Sequence, residues 1–238
     1  MDFETYVDNG VTMGSHYTGK TSYVAKALIR PRIKLFNLWI WDFHGKITEY
    51  INPPSYMIKH QLKELEYGTQ FFLPLDKSPK GYDLFLDKAL SHKNLEVITD
   101  EAHNYSSAHR LTGNHAELIR NAQNYGVSYM EIFQRPQRVN GDVLENARHR
   151  FCFALDDTNS VKKMREWIGV EIEFHISPYN RSPQAKLNLP HLEQSIIHTS
   201  EQARQYFEST NMLAKYSYVY RDKQQMKPEV FNGGLTIE

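Results

Sequence analysis

The chain has 238 residues, 40% apolar and 13% aromatic, which suits one α/β domain with a substantial core and excludes a disordered or low-complexity chain. Its 28 basic and 28 acidic residues cancel, so overall charge gives no sign of a nucleic-acid partner, although a pore lined by a few basic residues from several subunits is compatible with neutrality. The single cysteine, Cys152, excludes an intrachain disulfide and fits a reducing cytoplasm. Cys152 lies in the apolar run RFCFAL and is expected to be inert core packing. The acidic opening MDFETYVDNG lacks the layout of a signal peptide, and no apolar run approaches the roughly 20 residues of a spanning helix.

Apolar runs alternate with polar helical stretches, which predicts an α/β fold with a mostly parallel central sheet flanked by helices. In chain order, GVTM (10–13) predicts a short strand and TSYVAKALIR (21–30) a helix that stops at Pro31. FNLWIWDF (36–43) predicts a buried strand, and TQFFLPL (69–75) a strand placed at an edge by Pro74. A helix over 82–92, a strand over 95–100 and a helix over 115–126 closed by Gly126 follow. Strands over 127–133 and 150–155 precede a helix over 159–169, capped by Asn159 and ended by Gly169. Residues 175–190 read as an extended or hairpin segment and 200–213 as an accessory helix. The polar tail from Asp222 reads as loose until it docks. The expected division is a core over 1–175 and a small C-terminal appendage over 176–238 packed on it.

Four stretches carry chemistry. GSHYTGKTS, residues Gly14, Ser15, His16, Tyr17, Thr18, Gly19, Lys20, Thr21 and Ser22, contains G-x-x-x-x-G-K-[ST] between a strand and a helix. Its four fixed positions recur by chance in roughly 1% of chains this long, so a mere Gly-rich turn is the weaker reading. Backbone N–H groups of 15–20 are placed to wrap a β-phosphate, Lys20 to reach the β- and γ-phosphates, and the Thr21 hydroxyl to ligate Mg²⁺. LEVITDEAHNY runs a buried strand into Asp100 and Glu101. Next to a P-loop, Asp100 is placed to hold Mg²⁺ and Glu101 to polarise an attacking water. YMEIFQRPQRV delivers Gln134 to the end of a further strand, where its amide can bond the γ-phosphate or the water; taken alone it reads equally as a turn. WIWDFHGK ends a strand at Asp42 with Gly45 beyond, and alone reads as a strand-to-turn boundary.

Taken in order, these stretches resemble the FtsK–HerA superfamily of DNA-pumping ATPases over about residues 8–170. GSHYTGKTS resembles its Walker A motif, WIWDFHGK its second strand, VITDEAHNY its Walker B motif, and EIFQRPQRV its sensor strand, with Phe133 where Thr is usual. RFCFALDDTNSVKKMREWIG is similar to its fifth strand and following helix. The resemblance implies a RecA-like P-loop (ASCE) domain, ATP and Mg²⁺ as cofactors, and a homo-oligomer, expected as a hexameric ring on double-stranded DNA. It also implies an arginine donated by a neighbouring subunit. The position where the family often carries arginine holds Gln123, so Arg120, one turn earlier, and Arg148 are the candidates, with Arg135, Arg138 and Arg150 as further ones. The loop YSSAHRLTGNH, with His109 and Arg110, is the candidate pore loop or an ordinary polar connection.

A bare core of this size resembles the genome-packaging ATPases of icosahedral viruses with an internal membrane. That implies host cytoplasm or virion as location, and capsid-vertex or membrane proteins as partners. A cellular or plasmid DNA-transfer ATPase of HerA type is the nearest alternative. A filamentous-phage assembly ATPase would add a transmembrane helix. A small-molecule kinase needs no glutamate beside Asp100, and an ATP-gated switch needs no turnover stimulated by DNA. A two-lobed helicase would need more chain than this.

Overall fold

The computed structural model describes residues 9–15, 18–155, 157–168, 201–202, 204–205, 217–223 and 229–232. Its strands are β1 (Gly10–Met13), β2 (Asn37–Trp41), β3 (Ile58–Lys59), β4 (Gln70–Phe72), β5 (Leu95–Thr99), β6 (Val127–Phe133), β7 (His149–Phe153), β8 (Ser217–Asp222) and β9 (Glu229–Asn232). They form one sheet in the order β3-β4-β2-β5-β6-β1-β7-β8-β9. Every pairing from β3 to β7 is parallel, and β8 and β9 add antiparallel. The α-helices are α1 (Lys20–Tyr23), α2 (Lys46–Ile51), α3 (Pro79–Leu90), α4 (Gly113–Tyr125), α5 (Gly141–Asn146) and α6 (Thr158–Ile168).

The parallel strands read as nearly continuous apolar runs because both faces of the sheet are covered. On β6, Val127, Tyr129 and Phe133 face one apolar cluster, together with Trp39, Trp41, Tyr82 and Phe85. Met130 and Ile132 face the other, with Val24, Leu28, Ile40, Phe71 and Phe151. This two-residue alternation fixes the strand's register. An aromatic group gathers around Trp41 of β2, the neighbour of β5. Trp41 Nε1 donates to the Tyr105 hydroxyl at 2.9 Å, and the Tyr105 ring stacks on Tyr82 with centroids 4.0 Å apart.

Several expectations are corrected. The helix after the P-loop does not stop at Pro31. It widens over Val24–Ile29, where the Arg30 N–H reaches the Ala25 carbonyl, and tightens into a final turn over Arg30–Arg32. Pro31 stands in the first turn of that last segment, where its missing N–H costs nothing. The extra turn carries Arg32 into the interior against Glu96 of β5, a fully buried ion pair. Burial raises the Glu96 pKa against the opposing pull of Arg32.

β4 is not an edge strand, because the short β3 pairs on its far side and forms the edge; Pro74 falls outside β4. Asp157, not Asn159, caps α6, its Oδ1 accepting from the Ser160 N–H at 2.8 Å. The tail from Asp222 is ordered on the sheet where it is described: β9 pairs with β8, which pairs with β7 and packs Tyr218 and Tyr220 on Phe151. The alternating aromatics of SYVY bury one face against that cluster, and the Tyr218 hydroxyl lies 3.0 Å from that of Tyr23 behind the P-loop. Gly169 and the segment 175–190 lie outside the described residues, and of the helix expected over 200–213 the described residues 201, 202, 204 and 205 are helical.

Candidate nucleotide site

The strands that carry motifs all end on one rim, outside the carboxyl ends of a parallel sheet, where such sheets place their binding crevices. β1 leads into the P-loop, β2 into Asp42, β5 into Asp100 and β6 into Gln134. The sequence reading sets Asp100 on a strand next to the P-loop. The structure inserts β6 between β1 and β5, so the strand carrying Gln134 separates the two motifs.

The start of the P-loop is pinned from both sides. The Gly14 N–H bonds the Phe133 carbonyl at 3.3 Å and the Ser15 N–H bonds that of Ala154 at 3.0 Å. A Cβ on residue 14 would lie 2.6 Å from the Phe153 Cβ, so only glycine fits there. Gly19, at φ 95°, turns the chain into α1. Thr18 Oγ1 donates to the Ser15 carbonyl at 2.9 Å, and Ser22 Oγ to that of Gly19 at 3.1 Å. Thr21 stands half-buried in the first turn of α1. His16 and Tyr17 lie outside the described residues. Lys20 is buried, and its Nζ makes one long hydrogen bond, 3.4 Å to the Ser15 carbonyl. Burial lowers its pKa, while Glu101 and Asp100 pull it back up. A buried ammonium so thinly bonded is matched to an anion with several acceptor oxygens.

Facing it is a cluster of acidic side chains, Asp100, Glu101 and Asp42. Asp100 is 2% exposed, and its Oδ1 is buried without a hydrogen-bond partner. Burial, then the charges of Glu101 and Asp42, push its carboxyl up to about 8, with Lys20 pulling the other way. Asp42 is equally buried: Oδ2 accepts from the Thr48 N–H at 2.7 Å, and Oδ1 has no partner. Two unpartnered, buried carboxylate oxygens beside an anion-matched lysine form a hard oxygen donor set that fits Mg²⁺. No group of three or more His, Cys, Asp or Glu has metal-site spacing among the described residues, and Mg²⁺ held by one or two carboxylates plus phosphate needs none. Asp42 is the member that sequence reasoning left as a turn residue. The turn is there, with Gly45 at φ 75°, but the charge is buried inside it.

Glu101 adopts φ 54°, a left-handed conformation costly for a non-glycine residue. The conformation swings its carboxylate toward β6, where Gln134 Nε2 donates to both oxygens at 2.5 and 2.6 Å. His103 Nδ1 lies 3.1 Å away. Glu101 and Gln134, 33 residues apart in sequence, thus form one unit.

The arginine candidates separate. Arg120 on α4 pairs with Asp142 of α5 at 2.5 Å on the surface. Arg148 pairs with Asp222 at 3.2 Å and precedes β7, at the end of that strand opposite to the P-loop rim. Arg150 is buried and donates to the carbonyls of Ala147, Trp167 and Leu144, with its guanidinium 4.7 Å over the Trp167 ring. It is a structural tie between β7 and α6. Arg150→Ala removes that packing and strands three acceptors, so a loss of roughly 3 kcal/mol or more is expected. The check is a denaturant melt beside nucleotide affinity: a lowered midpoint with unchanged affinity fits a tie, and the reverse does not. Arg135 and Arg138 stand exposed just beyond Gln134.

No family model matches the chain, and no curated protein matches it by sequence. Solved structures do match. The genome-packaging NTPase B204 of Sulfolobus turreted icosahedral virus 2, in complex with ATP-gammaS, is 15% identical with a TM-score of 0.67, over 99% of this chain and 100% of that one. The DNA-packaging ATPase B204 of Sulfolobus turreted icosahedral virus is 16% identical with a TM-score of 0.56, over 94% and 96%. The fold is shared with a viral packaging NTPase. EssC of Geobacillus thermodenitrificans (ATPases 2 and 3) is 11% identical with a TM-score of 0.53, over 97% of this chain and 40% of that one. At these identities the likeness concerns the fold, and it agrees with the superfamily that the motifs resemble.

Proposed function

We propose that the chain is an ATP-hydrolysing motor on double-stranded DNA, and that its task is loading a viral genome into a preformed capsid. The observation that carries the hydrolytic half is the Glu101–Gln134 unit beside Lys20 and Asp100. Backbone N–H groups of the P-loop and Lys20 hold the phosphates. Asp100 and the Thr21 hydroxyl, together with Asp42, would hold Mg²⁺, which would supply positive charge to offset that of the phosphates. Glu101 accepts hydrogen bonds from Gln134, which orients its carboxylate toward a water and lets it draw that water's proton as attack begins. A kinase passing phosphate to a bound acceptor needs no group to activate water. The fold likeness to packaging NTPases supports the packaging reading; a DNA-transfer ATPase is the alternative within the same fold.

In this account subunits form a ring, six by analogy with the superfamily, with a neighbour's arginine completing each site. Arg120 or Arg148 would need to leave Asp142 or Asp222 to serve. DNA is held by its backbone, in the host cytoplasm or at a virion vertex. No helix among the described residues is long and apolar enough to cross a membrane. After Walker B the chain makes a tight turn bridged between Ser107 and Arg110, which presents His109 and Arg110 to solvent. Binding to duplexes of unrelated sequence is expected to be equal and to weaken steeply with salt, because each neutralised phosphate releases counterions. Arg110→Ala is expected to weaken binding at every sequence and to flatten the salt slope by about one. Binding that depends on sequence, or is indifferent to salt, contradicts the reading.

A further inference from the structure

Beyond Gln134 lies a cavity of 170 Å³ lined by His103, Gln134, Arg135 and Arg138. The turn Pro136–Arg138 builds it. Its N–H groups close on residues three back, Arg138 on Arg135 at 3.1 Å and Val139 on Pro136 at 3.0 Å. At three residues per turn, Arg135 and Arg138 fall on the same side. Most described arginines are engaged: Arg30 by the Tyr50 carbonyl, Arg32 by Glu96, Arg120 by Asp142, Arg148 by Asp222, Arg150 and Arg221 by carbonyls, and Arg204 by Glu201. Arg165 also has a partner. Among the described arginines, the guanidinium groups of Arg110, Arg135 and Arg138 alone make no hydrogen bond or ion pair, and two of these three line this one cavity. Among the described residues, no carboxylate lines it.

The cavity is therefore an anion site by charge, and its size restricts the anion. It holds roughly five waters' worth of liquid volume, enough for a tetrahedral oxyanion. It is well short of the roughly 300–1,000 Å³ that bury a nucleotide-sized ligand. Lys20, the phosphate lysine of the P-loop, does not line it. Gln134 belongs to both places: it lines the cavity and bonds Glu101.

We propose that this cavity is a subsite for inorganic phosphate, which takes the cleaved γ-phosphate from Glu101 and Gln134 and passes it to solvent. The inference rests on the hydrolytic reading above. In that reaction the bond between the γ-phosphorus and the β–γ bridging oxygen breaks, and the oxygen leaves with ADP. The water oxygen bonds the γ-phosphorus, and its proton goes to Glu101 and then to solvent. The product phosphate forms next to the paired guanidinium forks of Arg135 and Arg138, which suit its oxygens two at a time.

The test titrates inorganic phosphate by calorimetry into the full chain saturated with a non-hydrolysable ATP analogue. The analogue fills the γ-phosphate position, so phosphate that still binds must bind elsewhere. One phosphate per chain is expected, weakened about tenfold or more in the double variant Arg135→Gln, Arg138→Gln, whose analogue affinity shows that it is folded. No phosphate bound beside the analogue, or equal phosphate affinity in wild type and variant, overturns the subsite and leaves the ATP site standing. A chain that binds no analogue overturns the ATP reading and this subsite together.

Discussion

Glu101→Gln is expected to keep nucleotide binding and to lower hydrolysis by roughly 10²-fold, about 2.7 kcal/mol of barrier. The replacement matches in shape and suits the same left-handed backbone no worse. What it removes is the one group placed to accept the water's proton. Nucleotide binding survives because Lys20, Thr21 and Asp100 remain. Asp100 is even relieved of a like charge that pushes its carboxyl up, which leaves it the better cation ligand. The trapped ATP state is also expected to favour the assembled ring, since the γ-phosphate would bridge two subunits. Affinity, single-turnover cleavage and solution mass beside wild type provide the check. Normal turnover removes Glu101 from catalysis, and phosphate transferred to a small acceptor with none released to water makes the protein a kinase.

Lys20→Ala is expected to weaken nucleotide binding by about 10²-fold, from the loss of charge-assisted bonds to two phosphates at roughly 1.5–3 kcal/mol each, partly offset by water. Removing the ammonium also withdraws the positive charge beside Asp100 and Glu101, so an incoming anion loses its direct attraction, while the Asp100 pKa rises further and its carboxyl holds its proton more tightly. The fold survives, because Lys20 belongs to neither apolar cluster and, among the described residues, its Nζ bonds only the Ser15 carbonyl, at 3.4 Å. Wild-type turnover in a variant with an unchanged melt contradicts the P-loop assignment.

The rim on which the motif strands end is largely legible in the sequence because each of its parts is local: a strand, a loop and a side chain within a few residues. What stayed hidden depends on chain segments that meet only in the fold. Asp42 reads as a turn former, and nothing local says that its carboxylate is buried against Asp100. Arg32 and Glu96 look like ordinary surface charges until the widened helix brings them together across 64 residues. Glu131 in YMEIF and His115 in TGNHAEL are fully buried as a pair between β6 and α4. Arg150 reads as one more basic residue near the site, and only the fold shows its guanidinium consumed by carbonyls. The C-terminal strands escaped notice because SYVY is short and its partner β7 lies far back in the chain.

The most direct test of the motor reading is steady-state ATP turnover by the full chain, with and without double-stranded DNA, at low salt and at several DNA sequences. The account predicts magnesium-dependent release of phosphate to water that rises when any duplex is added and falls back as salt strips the DNA away. Turnover that is indifferent to DNA at every salt concentration would contradict it.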